Sequence, residues 1–223
     1  MVALRRTMQP RVLIADDHEL VVQGIERILE NEFNIVGVVS NGLELINEAF
    51  RLQPDIITLD IVMPFMNGIE AATRLRNILP ELKLLFVTQH ADHHYVQAAF
   101  RAGGHGYVLK QSVATEVREA IRAVLAGKFY VPQALARDLP SMSQLHNPAD
   151  LFSSDVTPRE REVLQLVAEG KAVKEIAAIL NISTKTVEFH KRGIMESLKL
   201  WTTAELTRYA LEHGIVEMRA CSL

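Results

Sequence analysis

Five short apolar runs, rich in β-branched residues and separated by amphipathic stretches, constrain the first 125 residues more than any other feature. They are Arg11–Ala15, Ile35–Val39, Asp55–Leu59, Leu82–Val87 and Gly106–Leu109. Continuous apolar runs of this length predict strands covered on both faces, and hence a parallel sheet. The stretches between them carry apolar residues at helical spacing. Leu20, Ile25, Ile28 and Leu29 form one stripe, Leu43, Ile46 and Ala49 a second, and Ile69, Ala72 and Leu75 a third. Val96, Ala99 and Phe100, then Val117, Ile121, Val124 and Leu125, complete the set. Strand and helix alternating five times predicts a doubly wound α/β domain with a parallel five-stranded sheet. In such a domain a ligand binds outside the carboxyl ends of the strands.

The periodicity fades after Leu125. Pro132, Pro140 and Pro148 stand among Ser, Gln and Asn, a linker composition, while Phe129, Tyr130, Val131, Leu135 and Leu139 suffice for one short helix packed on a domain. From Thr157 the signals are purely helical. Thr157-Pro-Arg-Glu160 combines a capping box with proline at the first helical position, and Gly170 ends that helix. Ile176, Ala177 and Leu180 mark a second helix closed by Asn181, and Ser183 caps a third bearing Val187, His190, Ile194 and Leu198. Thr202-Thr-Ala-Glu205 opens a fourth. The tight turn between the second and third predicts a helix-turn-helix unit. The chain thus divides into an α/β domain at 11–126, a linker at 127–154 and a small all-α domain at 155–216.

Composition excludes several classes. With 48% apolar and 23% charged residues the chain is not a disordered one. No stretch approaches the ~18 uninterrupted apolar residues of a membrane span. Met1 to Pro10 has no apolar core of a secretory signal, and Cys221, the single cysteine, cannot form an internal disulfide. Both predict a cytoplasmic protein without a membrane partner. Residues 1–125 hold 12 Lys and Arg against 15 Asp and Glu, and residues 151–223 hold 10 of each. Contact with nucleic acid must therefore rest on a local patch.

The strand ends carry the chemistry. Asp16 and Asp17 follow the first run, Asp60 the third and Lys110 the fifth, while Thr88 follows the fourth. A parallel sheet brings these positions to one edge. Clustered carboxylates repel, and a divalent oxygen-seeking cation such as Mg²⁺ relieves the conflict. Lys110 adds a point charge suited to a phosphoryl oxygen. The set suits phosphoryl transfer to a carboxylate, where positioning and charge neutralisation dominate. Singly, each residue has an ordinary explanation: a turn or cap for Asp16, Asp17 and Asp60, a buried hydroxyl for Thr88, a solvated cation for Lys110. Jointly they carry the group types that one reaction needs. His90, His93 and His94 have a spacing that a metal could use, but a solvated polar helix entry explains them better. His18, beside the acids, either modulates the pocket or simply begins a helix.

Residues 11–125 resemble the receiver domain of bacterial two-component response regulators, a flavodoxin-like fold. The resemblance rests on Asp16-Asp17, on Leu59-Asp-Ile-Val-Met-Pro64 followed by Asn67-Gly68, on Thr88, and on Tyr107-Val-Leu-Lys110. It implies that Asp60 accepts a phosphoryl group from a sensor histidine kinase. It also implies that Asp16, Asp17, Asp60 and the Val62 carbonyl hold Mg²⁺, that Thr88 and Lys110 meet the phosphoryl group, and that Tyr107 turns inward as Thr88 moves. Thr88-Gln89-His90 departs from the small residue frequent after the hydroxyl.

On the third helix of the tail, Val187, His190, Ile194 and Leu198 share one face, and at about 100° per residue Lys185, Phe189, Arg192 and Glu196 fall opposite. Such a face can be an ordinary solvated one, or it can read bases: Arg takes guanine, Glu accepts from cytosine, and Phe meets a thymine methyl. Residues 155–216 resemble the LuxR-type DNA-binding domain through Thr157-Pro-Arg-Glu160, Gly170, Lys174-Glu-Ile-Ala177, Ser183, Lys185-Thr-Val-Glu188, His190, Ile194 and Leu198. Val173 and Trp201 depart from the residues usual at their places. Together the halves resemble the NarL/FixJ class of response regulator. That resemblance implies a non-enzymatic transcription factor in which Lys185, Glu188, Phe189 and Arg192 face the major groove and Thr184 and Lys191 contact phosphates. Its implied partners are the histidine kinase, double-stranded DNA, a second copy of the chain when active, and RNA polymerase. Two rivals are a phosphate-independent factor that keeps its receiver for dimerisation, and a hydrolase with an aspartate nucleophile. The latter commonly needs an acid two residues after the nucleophile, where this chain has Val62. In the unmodified state the receiver is expected to restrain the tail, with the third helix as the surface to cover.

Overall fold

A computed structural model of the chain describes residues 9–136 and 156–216. Five parallel strands, β1 (Arg11–Ala15), β2 (Asn34–Val39), β3 (Ile56–Leu59), β4 (Lys83–Thr88) and β5 (Gly106–Leu109), lie in the order β2-β1-β3-β4-β5. The expected doubly wound sheet is present. Chain direction across the sheet reverses between β1 and β3, which opens a crevice at their carboxyl ends. Helices α1 (Glu19–Leu29) and α5 (Val113–Leu125) cover one face, and α2 (Gly42–Leu52), α3 (Gly68–Ile78) and α4 (His93–Arg101) the other.

β1, β3, β4 and β5 are buried almost throughout, as continuous apolar runs predict. β2 differs: only Val39 is buried, because this strand forms the sheet's edge and lacks a neighbour on one side. The stripe expected on α1 also needs correction. Ile25 and Leu29 are buried, but Leu20 is 84% exposed: at about 100° per residue it lies on the far side of the helix from them, and Val22 takes the core-facing place on the first turn. On α2, Leu45 rather than Leu43 or Ile46 reaches the centre of the core.

The expected short helix after the α/β domain is α6 (Gln133–Ala136), whose Leu135 packs into the core of the α2–α4 side. Just before it, the Tyr130 carbonyl accepts from the Tyr107 N–H at 2.8 Å, so the chain runs along the free edge of β5. Leu139, the rest of the linker and Cys221 lie outside the described residues.

The tail comprises α7 (Pro158–Ala168), α8 (Val173–Ile179), α9 (Thr184–Leu198) and α10 (Thr203–Glu212) around one apolar cluster. Both capping boxes form: Thr157 with Glu160, and Thr202 with Glu205. Gly170 adopts φ 79° and Asn181 φ 52°, so both helix ends turn through the left-handed region as their sequence signals require. The helix-turn-helix is α8, a turn at Asn181-Ile182-Ser183, and α9, whose Val187 and Ile194 are fully buried. Among the described residues, no helix is long and apolar enough to cross a membrane.

Candidate functional site

The sheet order gathers the predicted acids at the crevice. Asp16 and Asp60 are each 4% exposed, immediately after β1 and β3. From the end of β5, Lys110 Nζ reaches between them, 2.8 Å from Asp16 Oδ2 and 2.6 Å from Asp60 Oδ2. His18 is at once the residue preceding α1 and a member of this cluster. Its Nδ1 lies 3.0 Å from both Asp16 and Asp17 and 3.9 Å from Asp60. Its spacing after the acids was the signal for it, and the sequence left the pocket role and the helix-entry role open. Ligand atoms of Asp16, Asp17, His18 and Asp60 all lie within 4.8 Å of one another, the one such grouping among the described residues.

The backbone is bent to make this arrangement. Asp60 Oδ1 accepts from the Ile61 N–H at 2.7 Å. The chain then folds back so tightly that the Gly68 N–H donates to the Ile61 carbonyl at 2.7 Å. A Cβ on Gly68 would fall 1.9 Å from the Asp60 carbonyl oxygen, so only glycine fits there. Asn67 caps α3 by accepting from the Glu70 N–H.

The electrostatics follow from burial and crowding. Desolvation raises the Asp60 carboxyl to about 6; Lys110 opposes the shift and Asp16 adds to it. Burial pulls Lys110 down, yet Asp60 and Asp16 more than compensate and hold its ammonium above the usual range. Two buried carboxylates, Asp16 and Asp60, share the Lys110 ammonium, so negative charge exceeds positive between them in a nearly dry pocket. Hard oxygen ligands in excess of their counter-charges suit a small divalent cation.

Thr88, fully buried at the end of β4, accepts from the His90 N–H at 3.5 Å. Tyr107 is also fully buried, and its hydroxyl donates to the His90 carbonyl at 2.8 Å. The tyrosine therefore already points inward in this conformation, joined to Thr88 through His90. His90 and His94 pack against the Tyr95 ring at 4.1 and 4.2 Å between centroids. That stacking is what His90, just before α4, and His94, on it, make, and none of His90, His93 and His94 belongs to a metal-ligand grouping among the described residues.

A second polar region lies where the two domains meet. The loop after β3 presents Phe65, at φ 65°, to the apolar cluster of the tail, with Lys171 Nζ 5.5 Å from the ring centroid. The Phe65 N–H donates to Glu169 at 3.0 Å. Gln165, 2% exposed on α7, accepts from the Asn67 N–H at 2.9 Å and donates to the Met63 carbonyl and to Glu169, both at 2.8 Å. Behind it, Glu162 pairs with Arg74 and Arg159, and Glu70 is approached by Arg74 and Arg161 at 3.4 Å. Beyond α10, Gly214 abuts Tyr95 so closely that a Cβ would meet the tyrosine hydroxyl. None of these contacts was visible in the sequence. Glu162 and Gln165 look there like the polar face of an amphipathic helix, and only the docked receiver buries them.

The receiver thus engages α7, not the third helix of the tail that was expected to be covered. On α9, Thr184, Lys185, Glu188 and Arg192 are exposed, and Phe189 is 73% exposed, opposite the buried Val187 and Ile194. Lys191 is half-buried and donates to the Thr203 hydroxyl at 3.0 Å.

Comparison with known proteins agrees with this geometry. The family described as response regulator receiver domain matches residues 12–122, and that of bacterial regulatory proteins, luxR family, matches residues 154–210. The transcriptional regulatory protein MctR of Rhizobium johnstonii is 34% identical over 92% of this chain and 95% of its own length. The response regulator VraR of Staphylococcus aureus is 32% identical over 94% of this chain and all of its own. A structure of the RcsB response regulator of Salmonella typhimurium aligns with a TM-score of 0.62 at 30% identity, covering 95% of this chain and all of that one. RcsB bound to promoter P1flhDC with the phosphomimetic BeF3- aligns with a TM-score of 0.58 at 30% identity, over 90% of this chain and 98% of that one. The chain belongs to the NarL/FixJ class of response regulators, with a receiver domain joined to a LuxR-type DNA-binding domain.

Proposed function

We propose that Asp60 is the phosphoacceptor and that its modification controls DNA binding by the tail. The carrying observation is Lys110, at 2.6 and 2.8 Å from Asp60 and Asp16, in a pocket with more carboxylates than cations. A phosphohistidine of a sensor kinase is the donor. An Asp60 carboxylate oxygen attacks phosphorus, the P–N bond breaks with its electron pair going to the imidazole, and an acyl phosphate forms. With a carboxyl value of about 6, Asp60 is mostly ionised at neutral pH and ready to attack. Lys110 would hold a phosphoryl oxygen, and the Thr88 hydroxyl would meet another. Asp16, Asp17, Asp60 and the Val62 carbonyl would hold Mg²⁺. When bound, that ion supplies neutralising charge for the carboxylates and the transferring group. Rearrangement of Thr88 carries to Tyr107 through the His90 backbone that both side chains touch.

Residues 11–126 act as the switch, 127–154 as the connection, and 155–216 as the reader. In the reader, Lys185, Glu188, Phe189 and Arg192 on α9 approach base edges, and Thr184 and Lys191 approach phosphates. Lys191 must exchange its Thr203 contact for a phosphate to do so. Two copies would occupy half-sites about one helical turn apart, ~34 Å, with RNA polymerase as a further partner in the cytoplasm. The chain is a regulator and not a phosphatase. Val62 stands two residues after Asp60, where an aspartate-nucleophile hydrolase has its acid.

Labelling with acetyl phosphate, with and without Mg²⁺, tests the reading. The native chain takes up one phosphoryl group in Mg²⁺ and binds its operator more tightly afterwards, whereas Asp60→Asn does neither. Equal labelling or equal tightening in Asp60→Asn removes Asp60 from the switch.

A further inference from the structure

The loop that carries Val62 is held from outside its own domain. The Ile61 carbonyl, on one side of Val62, accepts from the Gly68 N–H at 2.7 Å within the receiver. The Met63 carbonyl, on the other side, accepts from Gln165 Nε2 at 2.8 Å, and Gln165 belongs to α7 of the DNA-binding domain. Peptide planes on both sides of the Val62 carbonyl are therefore pinned, one from each domain. The amide of Gln165 has no freedom to turn over. Its oxygen accepts from the Asn67 N–H at 2.9 Å, and its second N–H donates to Glu169 at 2.8 Å; the flipped amide would set donor against donor at Asn67. The side chain is 2% exposed, so water does not replace these bonds while the domains stay docked. Glu169 extends the grip by accepting from the Phe65 N–H at 3.0 Å, at a residue held in the left-handed region, φ 65°.

The geometry points to Gln165 as a positioning residue for the divalent-cation seat. It fixes the loop so that the Val62 carbonyl is presented without an ordering cost when the ion arrives. Since binding couplings are reciprocal, an ion in the seat also favours the docked tail. This inference rests on the reading of Asp16, Asp17, Asp60 and Val62 as that seat. The hydrogen bonds of Gln165 to the receiver loop go to main-chain groups, those of Met63 and Asn67, so they respond to the path of the loop rather than to its side chains.

Titration calorimetry with Mg²⁺ on the full chain tests it, using native protein, Gln165→Met and Asp16→Asn. Methionine keeps the volume and helix preference of Gln165 while removing its hydrogen bonds. The expected result is Asp16-dependent binding in the native chain, weakened about fivefold in Gln165→Met. Hydrogen exchange at the Asn67 amide should quicken in the same variant before Mg²⁺ is added. An unchanged affinity alongside a lowered melting temperature would make Gln165 a structural residue only and overturn the inference, leaving the seat standing. No Asp16-dependent binding in the native chain would overturn the seat itself, and the inference with it. Should Gln165→Met fail to fold, Glu169→Ala carries the test. It loosens the Gln165 amide without removing it, and a smaller weakening in the same direction is expected, while equal affinity again overturns the proposal.

Discussion

Two charged regions with buried carboxylates lie on either side of the loop after β3, and they are balanced in opposite ways. At the domain seam, Glu70 and Glu162 face three guanidiniums, those of Arg74, Arg159 and Arg161. Glu70 and Glu162 both have counter-charges within the protein. At the strand ends, two buried carboxylates, Asp16 and Asp60, face the ammonium of Lys110, with Asp17 and His18 at the rim. Burial costs both groups their hydration, so the difference is not one of environment. A region that gives each buried carboxylate its own cation is architecture. One that leaves the balance open is waiting for something from solution.

That contrast breaks first at the seam. Glu162→Ala strips Arg74 and Arg159 of their shared partner. Breaking a buried pair costs about 3–5 kcal/mol, and because both arginines are about a third exposed the low end, about 3 kcal/mol, is expected in denaturant unfolding. A loss near zero would mean that the seam is a solvated surface contact. The pocket should answer to an ion in a way the seam does not. Mg²⁺ at a hundred times its dissociation constant should stabilise the native chain by about 2.7 kcal/mol. The same addition should leave Asp16→Asn unmoved. Equal stabilisation of both would place the cation elsewhere.

The smallest effect sharpens the comparison through pH. With chelator present, the native state of Asp60 has its carboxyl raised to about 6, so the folded chain binds more protons than the unfolded one below that value. Stability contributed by the protonated group is therefore lost as pH rises through about 6. Between pH 5 and 7 the native chain should lose about 1.4 kcal/mol relative to Asp60→Asn, followed by chemical unfolding at each pH. Parallel curves for the two proteins would mean that Asp60 is solvated or fully paired.

Much of the pocket was legible because a parallel sheet leaves little choice. Once Arg11–Ala15, Ile56–Leu59, Lys83–Thr88 and Gly106–Leu109 are strands running one way, Asp16, Asp60, Thr88 and Lys110 must emerge at one edge. Leu20 was misread because it was grouped with Ile25 and Leu29, although spacings of five and nine residues put it on the opposite side of a helix from them. Gln165, Glu162 and Phe65 were not singled out for a different reason. A polar residue at a polar helical position and an aromatic in a loop carry no sign of burial until a second domain covers them. Docking between domains joins residues about a hundred positions apart through shape, and local pattern does not encode it.

The open face of α9 has a kinetic consequence. Lys185 and Arg192 stay in solvent while α7 is docked, so a duplex can meet them by simple diffusion in the resting protein. On the proposed reading, electrostatic scanning of DNA by Lys185 and Arg192 would need no undocking of α7 and would precede any signal. Control of a reader built this way acts on departure more than on arrival. On that reading, a molecule still clasped to its receiver would touch the duplex alone and leave, and one freed to join a second copy would stay.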